Sequence, residues 1–456
     1  MERVIENAYG PVQRNRRIKV LVNPYGGAGK APAIYAKLVA PIFAAAGCEI
    51  DVERTTHKAH AVDVAGSLDI DRYDVLACLS GDGLPMECFN GLARKRNAAE
   101  ALRKISIVQI PCGTGNAMSW NLFGTGEPTI AALMTVKGVR TSLDLASVTQ
   151  GDKRTLSFLS QSVGVVAESD LGTDNIRWMG DFRFTFGFLV RLLGKTLYPI
   201  ELAVKTEIED KTEIKKHYAR EMARRQNSPV ASHDILDKEL EAQTGLGLPP
   251  LKHGTINDPL PKDQSSGWTK LQAYPNLGNL YCGNMCWMAA DAPFFPASLP
   301  NDGLLDLVCV DGDISRISAV KMLLEVGSGA FFDNNGVSAR KISAIRVIPK
   351  YGRQMTERNN NNNTQTESAN NTTPPAPQKP SPIQRILNKL FGSPTRKDGC
   401  FSVDGERMPF EPFQIEVHRG LGTSLSRVPG VYEYEGPRGW RDLQIEDTRS
   451  AALERS

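Results

Sequence analysis

The feature of this 456-residue chain that most clearly predicts chemistry is a carboxylate between two glycines, Gly81-Asp82-Gly83. It directly follows Tyr73 to Leu79, an apolar run with the composition of a buried strand. A carboxylate at a strand end can accept a proton from an attacking hydroxyl group or help to hold Mg²⁺. The alternative is an aspartate that only shapes a turn. We take Asp82 as the candidate catalytic base.

Two further glycine-rich loops follow predicted strands, and we number the three in chain order as loop 1 (residues 23–30), loop 2 (80–83) and loop 3 (111–116). Such loops lie at the carboxyl ends of parallel strands, where backbone N–H groups can approach phosphate oxygens. Loop 1 is not a Walker A motif, and loop 3 has Met118 where a dinucleotide fingerprint needs a third glycine. The three loops together therefore predict a nucleotide-phosphate site and argue against a dehydrogenase.

The elements that must position these loops fall into two groups. Strand-like and helical patterns alternate over residues 16–147, which predicts an α/β domain with a mostly parallel sheet. Residues 148–430 contain strand-like runs and few helical patterns, which predicts an antiparallel all-β domain. Within it, residues 209–267 and 355–397 are rich in charged, proline or asparagine residues and are predicted to be flexible insertions. Residues 431–456 are predicted to be a C-terminal tail.

Composition excludes several classes of protein. The net charge of +3 gives no reason to expect a nucleic-acid partner. Cys282 and Cys286 have no nearby His or Cys to complete a zinc site, so we expect reduced thiols in an intracellular protein. The N-terminus lacks the apolar segment of a secretion signal, and no run of about 18 apolar residues is present. We therefore expect a cytoplasmic protein whose membrane contact, if any, is peripheral.

These motifs resemble the catalytic-domain superfamily of sphingosine kinases and diacylglycerol kinases. The resemblance covers roughly residues 16–208, 268–350 and 398–425. It implies an N-terminal domain like that of NAD kinases, a C-terminal β-sandwich, nucleotide in the cleft between them, and ATP with Mg²⁺ as cofactors. The matching motifs occur in the family's order: Ser80–Gly83 extended through Glu87 to Asn90-Gly91, Pro111–Asn116, Asp144-Leu145, Asn301–Asp306 and Val403–Glu406.

Residues 164–185 are similar to long-chain base kinases in particular. The acid matching Asp170 recognises the lipid head group in that family, and a carboxylate can bind the ammonium and hydroxyl of a sphingoid base together. The resemblance implies that the sphingoid base is bound by Asp170, Ser80 and Gly81. It implies that ATP is bound by Asn23, Gly26, Gly27, Thr55, Gly81, Gly83, Glu87, Gly113, Thr114, Gly115, Arg177, Arg183, Asp404, Gly405 and Glu406. Mg²⁺ would be held through the ATP phosphates, with its protein ligands unassigned.

Some positions depart from the family pattern or have a second interpretation. Met86 stands where a histidine is common, and Tyr25 and Ala28 stand where loop 1 often carries basic residues. Glu87 could support Asp82 or a metal, or only favour a helix N-terminus. The aromatic stretch Phe182–Leu193 is interpreted as a lid over the lipid pocket that also touches the bilayer, or else as a core helix.

The sequence predicts an ATP-dependent kinase that phosphorylates the primary hydroxyl of sphingosine, dihydrosphingosine or phytosphingosine to the 1-phosphate. A diacylglycerol or ceramide kinase is the nearest alternative. An NAD kinase would share the Gly-Asp-Gly loop, and an inactive lipid-binding protein is the non-enzymatic alternative. The expected partners are the sphingoid base and a membrane surface; the oligomeric state stays open, a homodimer included.

Overall fold

The N-terminal part of the chain forms a parallel sheet of β1 (Arg17–Val22), β2 (Glu49–Arg54), β3 (Val75–Ser80) and β4 (Ser106–Pro111). The computed structural model describes residues 9–164 except 11 and 28, residue 167, residues 197–227, residues 247–350 except 262, and residues 400–443. The strand order is β2-β1-β3-β4. β3 and β4 are buried along their whole length, as expected for a parallel sheet covered on both faces. The predicted α/β domain is confirmed.

Helices connect these strands and cover the sheet. Pro41 has no N–H to continue an α-helical ladder, and a π-helical stretch, Tyr35–Val39, precedes it. The helices of this part are α1 (Ala31–Ile34), α2 (Ala40–Ala45), α3 (His60–Ser67), α4 (Gly83–Leu92), α5 (Ala98–Lys104), α6 (Ala117–Phe123) and α7 (Pro128–Lys137).

The second part of the chain is a large antiparallel sheet, which confirms the predicted change of architecture. Its strands are β5 (Val139–Gln150), β6 (Lys153–Ser157), β7 (Ser160–Gly164), β8 (Ile200–Ile208), β9 (Gln272–Tyr274), β10 (Leu277–Gly283), β11 (Leu305–Asp311), β12 (Val337–Pro349), β13 (Phe401–Val403), β14 (Glu406–Met408) and β15 (Phe413–Ser426). They pair in the order β14-β13-β7-β10-β11-β12-β15-β5-β6, and β8 pairs with β12 and β9. The longest pairing, β5 with β15, joins residues far apart in the chain.

The described residues correct three predicted boundaries. The antiparallel sheet begins at Val139, so the predicted boundary after residue 147 falls inside β5. Residues 211–227, predicted to be flexible, form helix α8 (Lys211–Asn227). The sequence pattern did not predict this helix, because its buried stripe contains few apolar side chains, among them Ile214 and Tyr218 four residues apart. The predicted tail from residue 431 begins with the buried Tyr432, whose hydroxyl donates to Asn284 O at 2.8 Å.

Two further points complete the second domain. Helix α9 (Arg316–Val326), capped by the Ser315 side chain, packs with a short 3₁₀ helix, Ala330–Asp333, onto an apolar cluster that is separate from the main core. The predicted insertion at 355–397 lies outside the described residues.

The main core runs without a break from β1 and β3 into β5 and β15, so the two domains share one buried interior.

The motif Asn301–Asp306 belongs to the interior of the second domain. Lys341 Nζ lies 3.3 Å from the Asp302 carboxylate and 2.9 Å from that of Asp306, with all three side chains almost fully buried. Asp144 accepts two backbone hydrogen bonds of 2.6 Å, and burial raises its pKa to about 8. Removing one member of such a network would leave a buried charge unpaired. The motif therefore stabilises this domain and is not part of the glycine-rich loops.

His418 gives the fold a specific pH dependence. It is buried on β15, with Nε2 2.8 Å from Ser147 Oγ and 3.1 Å from a guanidinium nitrogen of Arg154. Burial, together with the positive charges of Arg154, Lys252 and His253, lowers the pKa of His418 from 6.5 to about 3. Between about pH 3 and pH 6.5, this imidazole is therefore neutral in the folded protein and protonated in the unfolded chain.

We expect His418→Gln to flatten the loss of stability on acidification. Since the unfolded chain takes up the proton first, this site lowers the free energy of unfolding as the pH falls from 6.5 towards 3. The slope is up to about 1.4 kcal/mol per pH unit. Urea unfolding of both proteins at about pH 7 and about pH 5 measures the difference. Equal pH dependence in the two proteins would contradict the assignment.

Candidate active site

The three glycine-rich loops meet at one edge of the parallel sheet. β1, β3 and β4 are neighbours in the sheet, so the loops that follow them lie side by side. A Cβ atom built on Gly27 would lie 2.5 Å from Cys112 O, and one built on Gly113 would lie 2.5 Å from Gly81 Cα. Backbones that approach so closely require glycine at these positions. The predicted meeting of loops 1, 2 and 3 is thus present.

Two asparagines hold the shapes of loops 1 and 3. Asn23 Oδ1 accepts hydrogen bonds from the backbone N–H groups of Tyr25 and Gly26, at 2.9 and 3.1 Å. Asn116 has a positive φ of 51° and bonds both the N–H and the C=O of Gly113, at 3.0 and 2.8 Å. These asparagine turns fix the loop backbones before any ligand arrives.

Asp82 lies where loop 2 faces loop 3. It is the N-cap residue of α4, and its two carboxylate oxygens accept hydrogen bonds of 3.0 Å from the N–H groups of Ala117 and Met118, in the first turn of α6. Burial raises the pKa of Asp82, and these hydrogen bonds and the Gln109 side chain oppose the shift. A Cβ on Gly115 would lie 3.3 Å from Asp82 Oδ2, so the carboxylate borders loop 3. The carboxylate is therefore held in one orientation beside the glycine-rich loops.

Glu87 points away from the loops, toward helix α3. Its two carboxylate oxygens accept hydrogen bonds from the N–H groups of Ala59 and Ala61, at 3.2 and 3.3 Å, and Ala59 is the left-handed N-cap residue of α3. A carboxylate at a helix N-terminus satisfies N–H groups that have no partner within the helix. Burial raises the pKa of Glu87, and the neighbouring Glu406 adds to the rise. The geometry favours a supporting role that fixes α3 against α4.

The Asp404-Gly405 turn brings the C-terminal hairpin to the site. Both residues have positive φ, 50° and 81°, as a two-residue turn between β13 and β14 requires. The buried Asp404 carboxylate accepts four hydrogen bonds from Ser157 Oγ and from the backbone N–H groups of residues 158–160. Burial raises the pKa of Asp404 to about 6. Asp404 therefore ties the hairpin to the β6–β7 turn.

We expect Asp404→Asn to lower the free energy of unfolding by about 1–3 kcal/mol, because an amide NH₂ group would face N–H donors that lose their acceptor. The measurement is urea unfolding, with Asp152→Asn, an exposed acid in a neighbouring turn, as the matched control. Equal stability of the Asp404 variant and the wild type would exclude the tethering role.

Glu406 reaches loop 2, and Lys58 from another part of the chain pairs with it. A Cβ on Gly83 would lie 3.3 Å from Glu406 Oε1, and Lys58 Nζ lies 3.5 Å from Glu406 Oε2. Lys58 is highly exposed, on the loop that follows β2. Thr55, at the start of that loop, is buried and bonds Val22 O through its N–H at 2.9 Å. The C-terminal hairpin thus closes one side of the site, as the motif order implied.

The sequence analysis did not identify two asparagines that support the site. Asn90 bonds both the N–H and the C=O of Leu156, each at 2.8 Å, and Asn121 bonds both groups of Trp287, at 2.9 and 2.7 Å. Each amide side chain therefore forms, with the backbone of one residue in the second domain, the two hydrogen bonds that an adjacent β-strand would form. The only indication of these roles in the sequence was that Asn90 lies within the extended loop 2 motif.

The structure says less about the roles of the remaining predicted site residues. The Ser80 hydroxyl donates to Gly81 O at 2.7 Å and the residue is buried. Asp170, Arg177, Arg183 and the predicted lid 182–193 lie outside the described residues. No group of three or more His, Cys, Asp or Glu that could hold a metal ion occurs among the described residues.

The comparisons with known proteins agree with this architecture. Residues 17–148 match the family model of the diacylglycerol kinase catalytic domain. A crystal structure of a diacylglycerol kinase from Bacillus anthracis str. Sterne superposes with a TM-score of 0.50 and 16% identity, covering 90% of this chain and 97% of that one. A second structure from that organism has a TM-score of 0.54. At this identity the likeness shows the fold alone. Residues 17–148 therefore form a domain of the diacylglycerol kinase catalytic type.

Relatives that match most of this chain, over part of their own length, narrow the class. The chain is 31% identical over 469 residues to sphingoid long chain base kinase 5 of Saccharomyces cerevisiae, covering 94% of this chain and 61% of that protein. It is 30% identical over 429 residues to sphingoid long chain base kinase 4 of Schizosaccharomyces pombe, covering 94% of this chain and 79% of that protein. Human sphingosine kinase 1 is 32% identical over 42% of this chain. The chain belongs to the sphingoid long chain base kinase family, as its motifs predicted.

Proposed function

We propose that this chain transfers the γ-phosphoryl group of ATP to the primary hydroxyl of a sphingoid long-chain base, giving the 1-phosphate. The observation that carries the proposal is the meeting of loops 1, 2 and 3 around Asp82. Backbone N–H groups suit a triphosphate, and a carboxylate beside them suits a hydroxyl that must lose its proton. The names of the relatives supply the class of lipid.

Asp82 is the proposed base. The substrate oxygen forms a bond to the γ-phosphorus as the bond to the β–γ bridging oxygen breaks; the hydroxyl proton passes to Asp82, and ADP leaves. A raised pKa brings the carboxylate closer to the working pH, which favours proton transfer. The two hydrogen bonds from α6 keep its orientation fixed while the charge changes.

ATP would lie along the glycine-rich loops, with Arg177 and Arg183 on its phosphates and Thr55 and Glu406 at the rim. We assign Asn23, Asn116, Glu87 and Asp404 to shaping the site, since their side chains bond protein backbone. Mg²⁺ would arrive with the nucleotide and neutralise charge on its phosphates. Glu406, beside Gly83, would be able to approach it.

The sphingoid base would meet loop 2 at Ser80 and Gly81. Asp170 is proposed to bind the ammonium group, because a carboxylate distinguishes this cation from the uncharged head of a diacylglycerol. None of the described helices is long and apolar enough to cross a membrane. We propose a cytoplasmic enzyme that takes its lipid from a membrane surface by peripheral contact.

A substrate panel tests the proposal. Purified protein, Mg-ATP and detergent micelles of sphingosine, diacylglycerol or ceramide should give phosphorylation of sphingosine alone. An Asp170→Asn variant should lose sphingosine turnover while keeping ATP binding. Phosphorylation of diacylglycerol or ceramide without sphingosine would overturn the substrate assignment, and ATP binding without any turnover would indicate an inactive lipid-binding protein.

A further inference from the structure

Gln109 is a buried polar residue in an otherwise apolar stretch of β4. Its neighbours Ile107, Val108 and Ile110 are fully buried, and Gln109 itself is only 1% exposed. Burying an amide costs free energy unless its oxygen and its NH₂ group both find partners. The surroundings of these two groups therefore indicate what the residue does.

The amide oxygen of Gln109 is bound by helix α6. It accepts a hydrogen bond of 3.0 Å from the N–H group of Ser119. The N–H groups of the two preceding residues, Ala117 and Met118, donate to the Asp82 carboxylate. Three consecutive N–H groups of α6 thus bind two side chains that come from different parts of the chain. Asp82 and Gln109 therefore lie next to each other along the first turn of this helix.

The NH₂ group of Gln109 acts on Asp82. Because the N–H group of Ser119 needs an acceptor, the amide oxygen must face it, and the NH₂ group lies on the other side of the amide. This buried NH₂ group completes no hydrogen bond with the described residues, yet the Gln109 side chain opposes the rise that burial causes in the pKa of Asp82. Hydrogen bonds at active sites are often long until the substrates bind. The free donor is thus available to the carboxylate.

We propose that Gln109 is a positioning residue for phosphoryl transfer, because its amide bridges Ser119 and Asp82 and keeps the carboxylate turned toward loop 3. The proposal rests on the proposed function, in which Asp82 takes the hydroxyl proton. A base must be ionised before it can accept a proton, and burial alone works against ionisation. A neutral donor supports the ionised form without placing a cation beside the carboxylate, which would make it a weaker base.

The charged side chains near loop 2 are the same in every variant of Gln109. Glu406, which approaches loop 2, pairs with Lys58, and Glu87 is turned toward α3. On the α6 side Asp82 meets backbone N–H groups, and on the β4 side it meets the Gln109 amide. Replacing Gln109 therefore changes one interaction of Asp82 against a constant background of charge.

Gln109→Met keeps the length of the side chain and removes both of its hydrogen-bonding groups. At saturating Mg-ATP and sphingosine, kcat should fall about tenfold at about pH 7, and its acid limb should move up by about one pH unit, because ionised Asp82 loses a donor. Gln414→Met is the matched control: Gln414 is also 1% exposed, and its amide bonds Arg346 and the backbone carbonyl groups of residues 253–254. This control should lose stability in urea unfolding and keep the wild-type acid limb.

Gln109→Glu separates positioning from mere support of α6. Its carboxyl group keeps an acceptor for the N–H group of Ser119 and places a second carboxyl group beside Asp82. Two carboxyl groups at one site ionise as a pair, so the acid limb should lie at least about one pH unit from its wild-type position. A residue that only supports α6 would give the wild-type acid limb in both variants. The wild-type acid limb in either variant would overturn the proposal, and Gln109→Glu decides if Gln109→Met does not fold.

A direct titration of Asp82 separates this proposal from the proposed function. In protein that is isotope-labelled at the aspartate carboxyl carbons, the Asp82 resonance is the one that Asp82→Asn lacks. Without any substrate, Asp82 should ionise about one pH unit higher in Gln109→Met than in the wild type. Identical titrations would overturn the positioning role. A shifted titration in a protein that phosphorylates no sphingoid base would overturn the proposed function and leave the hold of Gln109 on Asp82 standing.

Discussion

Asp82→Asn is expected to lower kcat for sphingosine by about 100- to 10,000-fold, the usual contribution of a general base. An amide cannot accept the hydroxyl proton, whereas the backbone of loops 1 and 3, the proposed site of the phosphates, is unchanged. One hydrogen bond from α6 is also affected, because the NH₂ group would face Ala117 N or Met118 N. That loss costs about 1–3 kcal/mol of unfolding free energy. Because the backbone of loops 1 and 3 is unchanged, ATP affinity should change only a few-fold.

The matched control is Glu87→Gln. Glu87 also accepts two backbone N–H bonds at a helix N-terminus, but these come from α3 and not from the helix that follows loop 3. It should lose a similar amount of stability and keep most of its turnover. Steady-state kinetics with both substrates, ATP binding by fluorescence titration and urea unfolding give the three readouts. An Asp82→Asn variant near the wild-type rate would show that the base is another group, and equal losses in both variants would assign the effect of Asp82 to structure.

Gly113→Ala is expected to abolish activity by disrupting the loops, and Gly81→Ala is expected to weaken the binding of ATP. A methyl group on Gly113 would lie 2.5 Å from Gly81 Cα and 2.9 Å from Gly81 N. No side-chain rotation relieves a clash with backbone, so loops 2 and 3 must separate, at a cost of about 1–3 kcal/mol in stability. A methyl group on Gly81 would lie 3.6 Å from Gly113 Cα, an ordinary contact.

The pair therefore separates folding from nucleotide approach. Gly113→Ala should lose both activity and stability. Gly81→Ala should unfold at the wild-type urea concentration, yet raise the KM for ATP at least about tenfold, because its methyl group occupies space that phosphate oxygens need. Unfolding curves and ATP-dependent kinetics decide the matter. Wild-type KM for ATP in Gly81→Ala would show that phosphates do not approach loop 2.

The local features of this protein were readable from its sequence. β3 is an uninterrupted apolar strand and the three loops contain glycine where backbones approach closely, so loops 1, 2 and 3 and their shared sheet edge were predicted. The separated motifs predicted the family and the return of Glu406 to the site. Local composition also gave one wrong prediction. The charged sequence of residues 211–227 indicated a flexible segment, but these residues form a helix that a few buried side chains hold in place.

The tertiary structure decided what each polar group does. Asp82 is held by N–H groups 35 and 36 residues away, Glu87 by groups 26 and 28 residues away, and Asp404 by groups about 245 residues away. No periodicity or spacing along the chain encodes such partners, because a hydrogen bond depends on distance in space. The sequence by itself therefore determined the glycine-rich loops and the family. Only the tertiary structure separated Asp82, which borders loop 3, from the carboxylates that hold the site together.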